Sequence, residues 1–338
     1  MSEAKYILAL DIGGTKLAVG LMALNGQMVA HSRQPTLVWE GPGPVIDRLF
    51  RQADELLGDA KIPPEALIAA GIGTGGPLDP WRGVIHYAPN MPGWINIPLR
   101  QIVEERYQVP TFLDNDANAA ALGEHWFGAG QDDPNLIYMT VSTGIGGGIL
   151  VDGHIFHGTN GNAAEFGHVV VEPEGPLCAC GGRGCLEAVA SGTNIARRMR
   201  EALLASQEST VLQMAEGKVD QVTTEMIVQA AREGDELASA IFGAAARQIG
   251  LGLVSIIHVL NPNLVIIGGG VSTAGELLLA PIREAFRRHG MRGLIDQVRV
   301  VTAALGKDVG VISAGTLALE GIYGSRERWR TVMAREGA

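Results

Sequence analysis

Cysteine is almost missing from this chain: 338 residues hold three, all between positions 178 and 185. That leaves no framework of disulfides to staple the fold. An apolar strand begins at Tyr6, so no signal peptide fits ahead of it, and a reducing cytoplasmic setting is expected. Long apolar runs are missing too. The longest apolar region, 237–260, contains Arg247, Gln248 and His258, and reads as a buried core helix, not a membrane span. Positive charge is in deficit, with 26 Lys and Arg against 36 Asp and Glu and a net charge of −10. This disfavours nucleic acid and anionic membrane as partners. Neither a Walker phosphate loop nor a dinucleotide-binding fingerprint occurs. No stretch before the last several residues reads as a flexible linker.

Glycine, by contrast, is plentiful: there are 46, clustered rather than periodic. The length suggests about two domains, and an apolar share of 46% is ordinary for a packed globular protein. Residues 6–10 form an apolar run ending at Asp11-Ile-Gly-Gly-Thr-Lys16, and 17–24 form a second strand. Asn25-Gly26 marks a hairpin turn before a third strand at 27–34. Residues 44–57 have helical spacing. Strands at 67–73 and 111–113 run into Gly75-Gly76-Pro77 and Asp114-Asn115-Asp116, and 117–127 reads as a helix. A similar cycle follows. A strand at 136–141 ends at Ser142-Thr-Gly-Ile-Gly-Gly-Gly148, extended structure resumes at 149–151, and Asp152-Gly153 is a hairpin turn. Helices are expected at 186–205, 223–233, 237–260, 276–289 and 309–323, with strands at 264–267 and 298–303. The first of these two strands ends in Gly268-Gly269-Gly270. Strand, glycine loop, strand, turn, strand, helix thus occurs twice. The expectation is two α/β domains of related topology with a cleft between them, the chain crossing at about 114–124.

The glycine loops carry the chemistry. In Asp11-Ile-Gly13-Gly14-Thr15-Lys16, exposed backbone N–H groups suit phosphate oxygens. Thr15 adds a hydroxyl, Lys16 a cation, and Asp11 a carboxylate able to hold Mg²⁺ through water. A plain hairpin explains the same glycines. Thr143, Gly144, Gly146 and Gly147 repeat the logic in the second half, and Gly269-Gly270 would let a flat base and its ribose approach the backbone. Asn115-Asp116 follows a strand and precedes a helix. One acid there is a natural helix cap, but Asp114, Asn115 and Asp116 cannot all be caps, and a carboxylate beside phosphate loops is a natural general base.

The three cysteines lie in Cys178-Ala-Cys180-Gly-Gly-Arg-Gly-Cys185, with His168 upstream. Thiolate and imidazole are ligands that Zn²⁺ prefers, and four of them close a tetrahedral structural site. Buried free thiols or a disulfide are the alternatives, although Cys178 and Cys180 cannot easily bridge across one residue. Gly181, Gly182 and Gly184 let the backbone fold back as a chelate loop requires, and the balance favours zinc. Glu165 and Glu187 flank this stretch. If one ring nitrogen of His168 binds the metal, the other is an oriented N–H donor for a sugar hydroxyl.

Taken together, Leu10-Asp-Ile-Gly-Gly-Thr-Lys16, Pro89-Asn-Met-Pro-Gly-Trp94, Asn115-Asp-Ala-Asn-Ala119, Ser142 to Gly148, Glu165-Phe-Gly-His168, the cysteine cluster with Glu187, and Gly268 to Gly270 resemble the ROK family of sugar kinases, nearly end to end. That family lies within the hexokinase, actin and heat-shock-70 superfamily, and the similarity is greatest to its bacterial ATP-dependent glucokinases. The resemblance implies a two-domain actin-like ATPase (ribonuclease H-like) fold with an interdomain cleft. Residues 1–116, completed by a helix at about 309–330, would form the smaller domain, and 117–308 the larger one with the zinc knuckle. It implies ATP-dependent phosphorylation of glucose, with Asp116 as the base toward the 6-hydroxyl. Asn115, Asp116, Glu165, His168 and Glu187 would line the sugar pocket, with Gly75, Gly76 and Asn90 near it. Asp11 to Lys16 and Thr143 to Gly148 would hold the ATP phosphates, and Gly269 and Gly270 the adenosine end. His168, Cys178, Cys180 and Cys185 would hold structural zinc. A homodimer or dimer of dimers is implied as well. One departure is Ala163-Ala164, where the family often has Ala-Gly. Other hexoses or N-acetylhexosamines, polyphosphate as donor, a non-catalytic binding protein and a sugar-responsive repressor are the competing readings. A repressor of this family would need a helix-turn-helix ahead of Asp11, for which no room is expected.

Overall fold

The structure, a computed structural model, describes residues 5–336. The chain runs β1 (Tyr6–Ile12), β2 (Lys16–Ala23), β3 (Met28–Pro35), α1 (Pro42–Ala60), β4 (Leu67–Thr74), β5 (Leu78–Asp79), β6 (Val84–Tyr87), β7 (Ile95–Ile97), α2 (Leu99–Tyr107), β8 (Thr111–Asn115) and α3 (Asp116–Phe127). It continues through β9 (Leu136–Val141), β10 (Ile145–Val151), β11 (His154–Ile155), α4 (Leu186–Ala190), α5 (Gly192–Leu204), α6 (Thr210–Met214), α7 (Thr224–Arg232) and α8 (Glu236–Leu260). Then come β12 (Leu264–Gly268), α9 (Glu276–His289), α10 (Arg292–Ile295), β13 (Arg299–Thr302), α11 (Val309–Tyr323) and α12 (Arg326–Glu336).

Two compact units result. The described residues of the first run up to Asn135, from Gly148 to Ala163 and from Ala304 onward; the second holds Leu136–Gly147 and Ala164–Ala303. The first-unit sheet has the order β3-β2-β1-β4-β8, with β1, β4 and β8 parallel and β2 and β3 antiparallel. Side chains alternate across it, as the period of two requires. Leu8, Leu10, Ile12, Leu17, Val19 and Leu21 join the core containing Val45, Leu49 and Ala53 of α1. Ala9 and Ala18 face the other way, against Val311 and Ala314 of α11. The small residues on that face let the helix come very close. A Cβ at Gly71 would lie 1.8 Å from the carbonyl oxygen of Ala314, so only glycine fits. Helix α3 packs on α11 and groups with this unit. The units therefore part at Asn135/Leu136 instead of at the expected residue 116.

The other large sheet repeats the order, β11-β10-β9-β12-β13, with β9, β12 and β13 parallel. In both sheets the first parallel strand sits at the centre. In the second unit α8 packs against α7 and α9. It is the one helix among the described residues long and apolar enough to cross a membrane, and much of it is buried in this core. Three local readings needed revision. The stretch 186–205 is two helices because Ser191 breaks it and caps α5, accepting from the Asn194 N–H. Gly146 to Gly148 belong to strand β10, not to a loop. The small sheet β5-β6-β7 was not anticipated, its strands being only 2–4 residues long.

Candidate active site

In the first unit, parallel pairing decides what meets. Asp11 of β1 pairs with Gly73 of β4, and Thr74 of β4 pairs with Asn115 of β8. The segments that follow, Gly13 to Lys16, Gly75-Gly76 and Asp116, therefore leave the sheet at one end. That is the carboxyl end of the parallel strands, where open α/β sheets bind ligands. The turn after β1 is closed by the Gly13 N–H donating to the Lys16 carbonyl at 3.0 Å, and the Thr36 hydroxyl donates to the Gly13 carbonyl at 2.6 Å. Thr15 and Lys16 are exposed. A Cβ on Gly14 would lie 3.4 Å from that of Asn90, which brings Asn90 to the same place. One on Gly76 would lie 3.6 Å from the Asn115 amide nitrogen, while Gly75 borders open space.

Asn115, not an aspartate, is the helix cap: its side-chain oxygen accepts from the Ala117 N–H at 2.9 Å. Asp116 is thereby released for other work as the first residue of α3. Water reaches its side chain. Desolvation by the surrounding protein nevertheless raises its carboxyl above the ordinary value, against the lowering by the Ala117 and Asp116 N–H groups. Asp11 is raised to about 7, first by burial and then by the Asp116 charge, with Arg33 opposing. Two acids crowded in this way fit a divalent cation, whose charge would offset their repulsion.

The second unit carries the other expected residues. The Ile145 N–H donates to Glu187 Oε2 at 2.8 Å. A Cβ at Gly144 would lie 2.5 Å from that same oxygen, so the turn needs glycine there. Glu187 thus braces the Ser142–Ile145 turn. Gly147 has a packing role, since a Cβ there would strike the Phe166 ring at 2.1 Å. Glu165 follows Ala164, which sits at φ 67°. This is the left-handed region, which costs a residue with a Cβ roughly 1–2 kcal/mol, and it accounts for the glycine that the family resemblance implies at this position.

His168, Cys178, Cys180 and Cys185 offer one ligand atom each, all within 4.8 Å of one another. The cysteines are free thiols. The Cys180 and Cys185 sulfurs are 3.7 Å apart, as are the Cys178 sulfur and His168 Nδ1. Zn–S bonds of ~2.3 Å at tetrahedral angles separate neighbouring sulfurs by about 3.8 Å, so the donor set and spacing fit zinc. With Nδ1 turned to the sulfurs, His168 Nε2 lies 3.9 Å from Glu165 Oε2.

Two cavities of about 250 and 210 Å³ adjoin one another in this unit, sharing Thr224, Glu225, Gly270 and Val271. Thr143 and Ser142 border one, Gln229 and Arg232 the other. Gly270 faces open space, whereas Gly269 (φ 81°) makes the turn, where a Cβ would lie 2.3 Å from the Val141 carbonyl oxygen. The α7 residues were missed from sequence, because Thr223 starts that helix as an ordinary cap with no motif around it.

Two sheets of one strand order, with the candidate residues beyond their parallel strand ends, define an actin-like ATPase fold. A model of the ROK family matches residues 7–320. The glucokinase of Thermotoga maritima is 39% identical over 318 residues, covering 94% of this chain and 98% of that protein. A ROK family glucokinase from Streptomyces griseus, solved in complex with glucose and AMPPNP, is 37% identical with a TM-score of 0.81, covering 94% of this chain and all of the other. A xylose repressor of Caldicellulosiruptor bescii is 31% identical over 312 residues, 90% of this chain and 76% of the repressor. The chain belongs to the ROK family.

Proposed function

We propose that this protein is a glucokinase that transfers the γ-phosphoryl group of ATP to the 6-hydroxyl of D-glucose. The observation that carries the reading is Asp116: an accessible carboxylate, relieved of capping duty, at the end of a parallel strand beside Gly75, Gly76 and Asn115. Its raised pKa suits a general base better than an ordinary surface acid would. The glucose and the ATP analogue in the Streptomyces griseus relative support the two substrates.

Asp116 takes the proton from the attacking hydroxyl while Asn115, Asn90, Glu165, His168 and Glu187 orient the sugar through planar hydrogen-bonding groups. The Gly13 to Lys16 turn and the Ser142 to Ile145 turn receive phosphates. Adenosine occupies the paired cavities lined by Gly270 and the start of α7. Asp11 is the residue that would hold Mg²⁺, and the ion would supply charge neutralisation of the phosphates. Zinc on His168, Cys178, Cys180 and Cys185 is structural, with no open position for chemistry. The family resemblance supports a homodimer.

The test is a coupled ADP-release assay with ATP and Mg²⁺ over glucose, mannose, fructose, N-acetylglucosamine and N-acetylmannosamine, with sugar phosphate measured directly when polyphosphate replaces ATP. Glucose-dependent ADP release is expected to dominate. Its absence, with release on an N-acetylhexosamine instead, would reassign the substrate; no release on any sugar would remove the kinase reading.

A further inference from the structure

The mechanism leaves one ionic cluster without a role. Asp114, the last acid before the Asn115–Asp116 corner, is buried, with 3% of its surface exposed. Its carboxylate accepts from the Asn115 N–H at 2.7 Å and from the Asn118 side-chain amide at 2.9 Å. Its other oxygen meets His157 Nε2 at 2.5 Å. Asn115 and Asn118 belong to the corner itself, one as the cap of α3 and one a turn into it. His157 does not. It comes from the loop after β11, where its own carbonyl accepts from the Ala163 N–H at 3.1 Å and its ring packs against Trp81, centroids 5.6 Å apart and planes tilted by 60°.

We propose that His157 is a positioning residue for the base Asp116: as a cation it pairs with the buried Asp114 carboxylate, and Asp114 in turn fixes the backbone at which β8 becomes α3. The proposal rests on reading Asp116 as the base. The physical reason is the cost of an uncompensated buried charge. Without the imidazolium, the buried Asp114 carboxylate draws in water, which competes for the oxygen that holds the Asn115 N–H and the Asn118 amide. Asn115 and Asp116 then lose their fixed exit angle from the strand.

The groups facing His157 are consistent with this. Burial alone pulls its pKa down, but the Asp114 hydrogen bond and charge, with Glu320 of α11, outweigh it and leave the net shift upward. Glu320 is itself occupied by His154 of β11 at 3.2 Å, so Asp114 remains the direct partner. Trp81 contributes no charge. The clamp is therefore complete below the raised His157 pKa and is lost as pH rises through it.

The experiment compares wild type, His157→Gln, His157→Arg and Asp114→Asn for kcat, glucose KM and ATP KM between pH 6 and 10, with melting temperatures alongside. Gln removes the charge, whereas Arg keeps a cation that does not titrate. Glucose kcat/KM of the wild type should fall on the alkaline side, and His157→Arg should lack that limb. His157→Gln and Asp114→Asn should sit lower by on the order of tenfold with ATP KM little changed. A folded His157→Gln with wild-type kcat/KM and pH profile would overturn the clamp. If that variant fails to fold, identical alkaline limbs in wild type and His157→Arg overturn it instead. A wild type that phosphorylates no sugar overturns the functional reading and this one with it, whereas an active wild type with an indifferent His157 overturns this one alone.

Discussion

At the scale of single residues, the decisive contrast lies between neighbours. Asn115 and Asp116 are consecutive polar residues after one strand, and only the cap bond from Asn115 to the Ala117 N–H separates their duties. From sequence, cap and base could be weighed but not divided, because both residue types cap helices well. Asp116→Asn keeps the shape and loses the proton acceptor. Turnover should drop about 10²–10⁴-fold while glucose binding by calorimetry stays near wild type; near-normal turnover in the folded variant would return Asp116 to a structural role. As the proposed base, the same residue should set the acid side of the pH profile. Its folded pKa is raised, first by desolvation. The base must be ionised, so activity should be lost as pH falls through a value above the ordinary aspartate range. An acid limb at that ordinary range in the wild type, measured in kcat, would contradict the assignment.

At the scale of elements, the His168–Cys185 knuckle and the Ser142 turn are one mechanical piece. Glu187 lies two residues after Cys185 and accepts from the Ile145 N–H. From spacing alone the cysteine cluster reads as support for the sugar residues only, since nothing in the sequence links position 187 to position 145. Metal binding and local folding are coupled. Elemental analysis should therefore find one zinc per chain, and Cys180→Ser should raise the glucose KM by tenfold or more. It should raise the ATP KM as well, which a defect confined to Glu165 and His168 would leave alone. Full activity without zinc would remove the metal from the account. Glycine was legible where it turns a hairpin, as at Gly26 and Gly153 with φ of 88° and 81°, and illegible where it packs, as at Gly147 under the Phe166 ring. The two uses look identical in a string of letters.

At the scale of the whole molecule, the duplicated plan was readable because each half spells the same cycle of apolar runs and glycine turns. The partition of the chain was not. Helix α3 follows β8 directly, yet it packs on α11 from nearly two hundred residues later, and periodicity carries no information about such a partner. Association between copies also leaves little trace in sequence. Sedimentation at low concentration should give a dimer or a dimer of dimers, and a stable, active monomer would contradict the family-based expectation.

The close seat of α11 on Gly71 has a consequence for biosynthesis. Four strands of the first sheet meet α11, but the ribosome makes all of them before any of the second unit, and α11 after nearly all of it. At ~5–20 residues per second, the apolar face around Ala9, Ala18 and Gly71 waits roughly 10–40 seconds for its cover. The second unit, whose chain is largely contiguous, can fold within that interval; the first cannot close until α11 has been made. The unit begun first is thus the one completed last. A chaperone that shields the nascent first sheet would cover this face until α11 emerges.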